Sequence, residues 1–296
     1  MQKLTSSVII CTRNRPDDLF TCLDSIAQQR TVPTELIIVD SSDQPLNSDS
    51  TFIAKFNPAI FKTTHLIYKH TKPGLPLQRN VGASLASADI FYFFDDDTIL
   101  ESGYLEKMNT IFAQHSNYGG GMGAIINVGS KQPNLDRLIR KIFFLQRDHA
   151  SGNFTLSGLP THTYGTTMFK DVQVLGGCCM AYRSWVFKKH LFDEALERYA
   201  YMEDCDFSRR VSYDYPLFFN PEAKLRHLGS PVARDKVIDN RAMYIKNYRY
   251  LFFKNFYPKN KWKIVAYWWS IVGLFVQALV MWNMDYIKGY WKGLSS

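Results

Sequence analysis

Residues 91–100, FYFFDDDTIL, set three consecutive carboxylates, Asp95, Asp96 and Asp97, directly behind four aromatic side chains. Like charges at that spacing repel and raise one another's pKa, so they separate unless a cation sits among them. A second acidic cluster, Glu203, Asp204 and Asp206 in YMEDCDFSRRV, opens a segment of helical character. Acids near a helix N-terminus are favoured by the helix dipole alone, and a carboxylate there can also take a proton from a substrate hydroxyl. The first cluster asks for a counter-ion; the second is open between capping and catalysis.

The elements that must position these groups follow from periodicity. SVIICT (residues 7–12) and ELIIVD (35–40) are short apolar β-branched runs, each ending in a polar residue, and between them Leu19, Leu23 and Ile26 recur at helical spacing. This predicts a βαβ unit. A third strand is expected at THLIYK, a helix at LPLQRNVGASLAS, and a fourth strand at DIFYFF, ending at the three aspartates. Strands alternating with helices predict a mostly parallel sheet, in which ligands collect at the carboxyl ends of the strands. Thr12, Asp40 and Asp95 all stand at such ends and are expected to converge on one crevice. Further on, YGGGMGAIINVG predicts a strand with its turn, VLGGCCMAYRSWVF a short strand leading into a helix, and LERYAYMEDCDFSRRVSYD a turn and a helix. Residues 149–171 are rich in Gly, Ser and Thr without a clear period, which predicts a long mobile loop of the lid type.

At 296 residues, 46% hydrophobic and 15% aromatic, the chain has material for one large core or two smaller ones, and global disorder is excluded. The net charge of +8 is unevenly placed: residues 231–296 hold eleven Lys and Arg against three acids, which accounts for all of it. A neutral body with a basic tail argues against a nucleic-acid partner and for an anionic surface as the partner of the tail. Five cysteines without a CxxC spacing fit a reducing, cytosolic setting, and the N-terminal apolar run is too short for a signal peptide. Within the tail, RDKVIDNRAMYIKNYRYLFFKNFY mixes basic and apolar residues as a membrane-surface helix does. Residues 264–282 follow with nineteen positions and no charge, about 28 Å as a helix at about 1.5 Å per residue. Trp262, Trp268, Trp269 and Trp282, with lysines beyond both ends, resemble interfacial anchors. Membrane contact is therefore expected through residues 234–292, with in-plane, re-entrant and spanning arrangements open, and a buried core helix as the other reading.

SVIICTRNRPDDLFTCLDSIAQQ, ELIIVDSSDQP, KPGLPLQRNVGASLASADIFYFFDDDT, GGCCMAYRSWVF and YMEDCDFSRRV, in this order and spacing, resemble the family 2 glycosyltransferases of GT-A fold, from residue 7 to about residue 230. The resemblance implies an α/β fold: a Rossmann-like mixed, mostly parallel sheet flanked by helices, here with a C-terminal membrane-associated helical tail. It divides the chain into a nucleotide-sugar-binding half (1–128), an acceptor-binding and catalytic-base half (129–230) and the membrane-associated helices (231–296). By the same resemblance Asp95 and Asp97 hold a divalent cation, Mn²⁺ or Mg²⁺ by the hardness of oxygen ligands, and His227 stands where some relatives supply a third ligand. Asp95 and Asp96 also lean toward the donor. Asp40 falls at the nucleobase position, with Thr12 and Arg13 covering the base, although Ser41 and Ser42 replace the acid and glycine usual after that aspartate. Arg79 matches a position near the donor phosphates. Asp204 is implied as the general base and Glu203 as its partner, with Asp206 a capping acid, and Gly176 and Gly177 allow close approach on the acceptor side.

The implied function is inverting transfer of a sugar from a UDP- or dTDP-sugar donor to a lipid-linked or polysaccharide acceptor, in the manner of bacterial surface-polysaccharide enzymes at the cytoplasmic face of the inner membrane. Two other readings stand beside it. A sugar-nucleotide nucleotidyltransferase would need a glycine-rich phosphate loop that SVIICTRNRPDD lacks, and a non-catalytic membrane-tethered nucleotide-binding module would be favoured by loss of the acids that are present here.

Overall fold

The computed structural model describes residues 4–48, 63–129, 133–148, 150–197, 199–229 and 236–296. β1 (Ser6–Thr12) and β2 (Glu35–Asp40) are almost wholly buried and joined by α1 (Pro16–Ala27). α1 starts on a proline whose missing N–H would be unpaired there in any case; Asp17 and Asp18 follow, and Leu19, Cys22, Leu23 and Ile26 turn inward. β3 (His65–His70) forms the half-exposed sheet edge, α2 (Leu75–Leu85) crosses back, and β4 (Ile90–Asp95) lies beside β1. The parallel register sets Cys11 opposite Asp95 and Thr12 opposite Asp40. The expected convergence of strand ends is thus present in the backbone.

Beyond β5 (Thr98–Leu100) and α3 (Tyr104–Gln114) come β6 (Gly120–Ile125), α4 (Asn134–Ile142), β7 (Lys170–Val172), β8 (Cys179–Arg183), α5 (Glu203–Val211) and the long β9 (Leu217–His227). The sheet order is β3-β2-β1-β4-β8-β6-β9-β5, with β7 also on β9. β1, β2, β3, β4, β6 and β9 run one way and β5, β7 and β8 the other, so the sheet is mixed and mostly parallel. The antiparallel register of β5 on β9 sets Thr98 opposite His227, bringing that histidine to the three aspartates from 130 residues away in sequence.

Two expectations fail here. After β8 the chain makes only a 3₁₀ turn at Ser184–Lys188, because Phe187 must fold back onto Phe91, Phe93 and Phe207 instead of continuing a helix. The segment read as a mobile lid is packed, and its first residue, 149, lies outside the described residues. Phe154 and Leu159 are buried, Thr155 N–H donates to the Leu159 carbonyl at 2.8 Å, and Ser157 is bonded to both Phe144 and Tyr248. Two apolar anchors in a polar stretch carry no period, and they suffice to fix it.

The tail forms α6 (Val237–Asn255), α7 (Lys263–Val280) and α8 (Met284–Ser295). Residues 234 and 235 lie outside the described residues. α6 was expected to lay its apolar side on a membrane; instead Ile245, Tyr248, Leu251 and Phe252 are buried with Tyr267, Ile271, Leu274, Ala278 and Tyr290 in a second core, together with Phe154, Leu159, Leu196 and Met202. Protein covers that face. α7 is charge-free from Ile264 to Val280 and, among the described residues, the one helix long and apolar enough to cross a membrane; a third of it is buried. α4 lies along α7: the Trp269 indole donates to the Ile142 carbonyl at 2.9 Å, Phe143 stacks on Trp269 at 4.7 Å, and Gln277 donates to Asp136 at 2.6 Å. Gly273 makes this packing possible, because a Cβ there would come within 2.1 Å of the Phe143 Cβ.

Candidate active site

The carboxyl ends of β1 and β4, the turn after β4, the end of β9 and the start of α5 line one cavity of about 1510 Å³. Asp95 ends β4, and Asp97 lies two residues on, beside His227. The imidazole Nε2 is 3.0 Å from Asp97 Oδ1 and 3.8 Å from Asp95 Oδ2. One donor atom from each of these three residues falls within 4.8 Å of the others. Two hard carboxylates and one imidazole, converging on a cavity large enough for a nucleotide, suit Mn²⁺ or Mg²⁺. Burial raises the pKa of Asp95, with Arg79 and His227 acting against it. Burial alone would lower that of His227, but the hydrogen bond to Asp97 and the surrounding negative charge raise it to about 9.

Asp96 is turned from this trio. It accepts from Thr12 Oγ1 at 2.7 Å and from Arg15 at 3.2 Å, and burial pushes its pKa up to about 7 against both partners. Thr12 therefore positions Asp96. Arg13 lines the cavity from an exposed pair with Asp43 at 3.1 Å. Asp40 requires correction: it is fully buried, off the cavity lining, and its oxygens accept from the N–H of Ser42 (2.7 Å) and Leu46 (2.9 Å) and from the Tyr68 hydroxyl (2.5 Å). Its lone pairs fix the loop after β2, so it does not present a carboxylate to a base. Ser41, its neighbour, lines the cavity instead.

Arg79, on α2, is buried rather than a helix-surface residue. Its guanidinium donates to Asp95 Oδ1 (3.1 Å), to the Gly177 carbonyl (2.9 Å) and to Glu203 Oε1, and lies 5.6 Å from the Phe192 ring centroid. It braces the strand-end acid to the helix-start acid while lining the cavity beside Asp95. Glu203 keeps Oε2 buried without a partner among the described residues. Asp204 faces the cavity and accepts from Gly177 N–H and Cys205 N–H, both at 2.8 Å. Gly177 is thus bonded at its carbonyl to Arg79 and at its N–H to Asp204, and a Cβ there would come within 3.2 Å of both side chains. A Cβ on Gly176 would meet only Met122, at 3.5 Å.

Asp206 is not a cap. It accepts from Arg210 (2.9 Å), Lys254 (3.0 Å) and Asn255 (2.8 Å), bolting α5 to α6. Just ahead of Glu203, Ala200 and Met202 hold positive φ of 50° and 71°, an uncommon conformation for residues with a Cβ. That strain turns the chain so that Tyr201, Glu203 and Asp204 all reach the cavity. Sequence reasoning missed Arg15, His162 and Tyr164. The last two stack at 5.1 Å on the cavity wall, and burial lowers the His162 pKa although Asp204 opposes it, so the ring is neutral near pH 7. The only trace of them in PTHTYG is the alternation of polar and aromatic residues.

A mixed sheet of this order, with acids at a central strand end facing acids at a helix start across one cavity, is the arrangement of the GT-A glycosyltransferases. The sequence matches Glycosyl transferase family 2 over residues 7–191, more than half the chain, and the chain belongs to that family. It is 30% identical over 102 residues to the uncharacterized glycosyltransferase YwdF of Bacillus subtilis (strain 168), a match spanning 34% of this chain and 36% of that relative. Among solved structures it is similar in fold to GalNAc-T7 crystallised with UDP, GalNAc and Mn²⁺ (TM-score 0.61, 14% identity, 85% of this chain and 48% of that one). It is likewise similar to residues 1–349 of S. aureus TarS (TM-score 0.53, 15% identity, 92% of this chain and 72% of that one).

Proposed function

We propose that this chain is an inverting glycosyltransferase that moves a sugar from a nucleoside-diphosphate donor to an acceptor hydroxyl, with Asp204 as general base. The observation that carries this reading is Gly177, which ties Asp204 by its N–H and Asp95, through Arg79, by its carbonyl. A proton acceptor and a cation ligand are thereby held at fixed separation on one cavity wall, as single displacement requires.

Asp95, Asp97 and His227 would hold Mn²⁺ or Mg²⁺; when bound, the ion supplies positive charge against a departing diphosphate. The chain's own residues do the rest. Asp204 takes the hydroxyl proton, with its carboxylate aimed by two backbone N–H groups. Arg79 keeps Asp95 and Glu203 in register, and Thr12 and Arg15 hold Asp96 at the donor side. UDP and Mn²⁺ in the GalNAc-T7 structure support a uridine donor, and dTDP shares the same base edge. Because Asp40 is fully buried and off the cavity lining, we assign selection of the base to the loop surface of Thr12, Arg13 and Ser41.

We assign residues 1–128 to the donor, 129–230 to the acceptor and base, and 231–296 to membrane contact, the boundary at 231 lying outside the described residues. The exposed apolar side of α7, with Trp268, Trp269, Val272 and Leu279, supports that contact. Five unpaired cysteines support the cytoplasmic side. The test is Asp204→Asn, which keeps shape and removes basicity: transfer is expected to fall about 10²–10⁴-fold while Mn²⁺-dependent UDP binding persists. Unchanged transfer would remove Asp204 as the base.

A further inference from the structure

α4 sorts its side chains by chemistry. At about 100° per residue, Leu135, Leu138 and Ile142 fall on one side of the helix, and they are 57%, 54% and 49% exposed. Ile139 is the one apolar side chain that α4 buries. Arg137 and Lys141, also exposed, flank the stripe, whereas the single acid of the helix, Asp136, is held by Gln277 of α7 at 2.6 Å. A short amphipathic helix is stable because its apolar side leaves water. Most of that side points outward here, so the surface that covers it must come from outside the chain.

α7 runs antiparallel beside it: Asp136 meets Gln277 near one end, and Phe143, just past α4, meets Trp269 and Gly273 toward the other. The outward faces of the two helices join at both ends. Trp269, bonded to the Ile142 carbonyl, is itself exposed, and at the far end Leu135, Val280 and Met281, all exposed, line the same cavity. Along this face α7 presents Val265, Val272 and Leu279, each seven residues from the next. Contiguous apolar surface of this kind is rare on a protein that meets only water.

Charge selects the occupant. Arg137 and Lys141 border the face on α4, Lys261 and Lys263 stand at the start of α7, and no charge interrupts α7 from Ile264 to Val280. A second copy packed face to face would set these cations against one another. Anionic lipid headgroups attract them, and the long stems of lysine and arginine reach from an apolar face to that level. The inner side of α7 fixes its direction: Tyr267, Ile271, Leu274 and Ala278 are buried in the second core, and Ser270 is hydrogen-bonded to the Tyr248 hydroxyl at 2.7 Å. Attached to the body along its length, α7 would cross a bilayer only by drawing α6, with Arg249 and Lys254, into hydrocarbon.

We propose that α4 and α7 form one surface seated on an anionic bilayer, with α7 lying in the membrane plane and not across it. Leu138, Ile142, Val265, Val272 and Leu279 enter the boundary between headgroups and acyl chains, and Arg137 and Lys141 meet the lipid phosphates. This rests on the reading of residues 231–296 as the membrane contact; it adds to that reading a helix from the 129–230 half and an orientation.

The test uses the full chain with vesicles of phosphatidylglycerol or of phosphatidylcholine. The double variant Leu138→Glu, Ile142→Glu is expected to keep Tm within a few degrees and to lower co-sedimentation with phosphatidylglycerol at least about fivefold. Arg137→Gln with Lys141→Gln should lower it by a similar factor on phosphatidylglycerol and leave phosphatidylcholine unchanged. For the orientation, a bimane label at Leu138→Cys, Val265→Cys, Val272→Cys or Leu279→Cys should be quenched equally by a lipid with a nitroxide near its headgroup. Quenching at Val272→Cys only by a nitroxide deep in the acyl chain, with the labels at 265 and 279 quenched near the headgroups, would mean a crossing helix and overturn the orientation. Undiminished sedimentation of the Leu138→Glu, Ile142→Glu variant, while Val272→Glu with Leu279→Glu releases the chain, would remove α4 and leave the tail contact standing. A wild-type chain that sediments with neither vesicle would sink the membrane reading and this proposal together. A dimer seen by light scattering without vesicles, and dissociated by the Leu138→Glu, Ile142→Glu pair, would give the face to a second copy and overturn the proposal.

Discussion

Arg79 reaches Asp95, Glu203 and the Gly177 carbonyl with one planar guanidinium, a geometry that a lysine ammonium cannot reproduce. Removing it leaves Glu203, already with one orphan oxygen, as a buried unpaired carboxylate. Arg79→Ala is therefore expected to lower unfolding free energy by about 3–5 kcal/mol, measured by urea denaturation, and Arg79→Lys should recover only part. A loss under about 1 kcal/mol would mean that the brace is not structural. At this scale the sequence was partly legible. Three aspartates behind an aromatic strand announced a charge problem, and the helix-start acids announced a second. Their environments were not legible, because they depend on partners far away in the chain: the Tyr68 hydroxyl reaches Asp40, Lys254 and Asn255 claim Asp206, and His162 comes near Asp204 only through the fold.

Between elements, the junction of α6 with the body is polar where α5 and the segment before it meet the helix. Lys254 donates to both Asp193 (2.5 Å) and Asp206 (3.0 Å), and Tyr250 also donates to Asp193 (2.8 Å). Burial alone would raise the Asp193 pKa, but these bonds together hold it below its ordinary 3.8. A carboxyl depressed in the folded state contributes stability above its unfolded pKa, and that contribution disappears as pH falls through the folded value. Wild type should therefore exceed Asp193→Asn in urea midpoint at pH 7, and the gap should close as pH drops below 3.8. A gap independent of pH would show that this bond is not charge-assisted. The strands and α1 were readable because a period of two or of 3.6 with clean apolar faces leaves little choice. The 150–169 segment and the turn after β8 were not, since their order comes from Phe154, Leu159 and Phe187 fitting cores assembled from elsewhere.

For the molecule as a whole, the apolar tail plays two parts. One side of α7 completes the second core through Tyr267, Ile271, Leu274 and Ala278, and the other presents Val265, Val272 and Leu279 to solvent. Hydropathy alone reports the sum of the two sides, which is why the sequence left spanning, in-plane and buried arrangements open. Deleting the chain from Lys261 would strip the second core as well as the outer face, so it is a poor test of membrane contact. The triple variant Val265→Glu, Val272→Glu, Leu279→Glu changes the outer face alone. It should keep Tm within a few degrees and reduce co-sedimentation with phosphatidylglycerol vesicles at least tenfold; undiminished sedimentation would exclude α7 as the contact. Where α4 and α7 cross, Gly273 offers no atom to trim, and Phe143 already rests against bare backbone. Any side chain introduced at position 273 would therefore have to wedge the two helices apart.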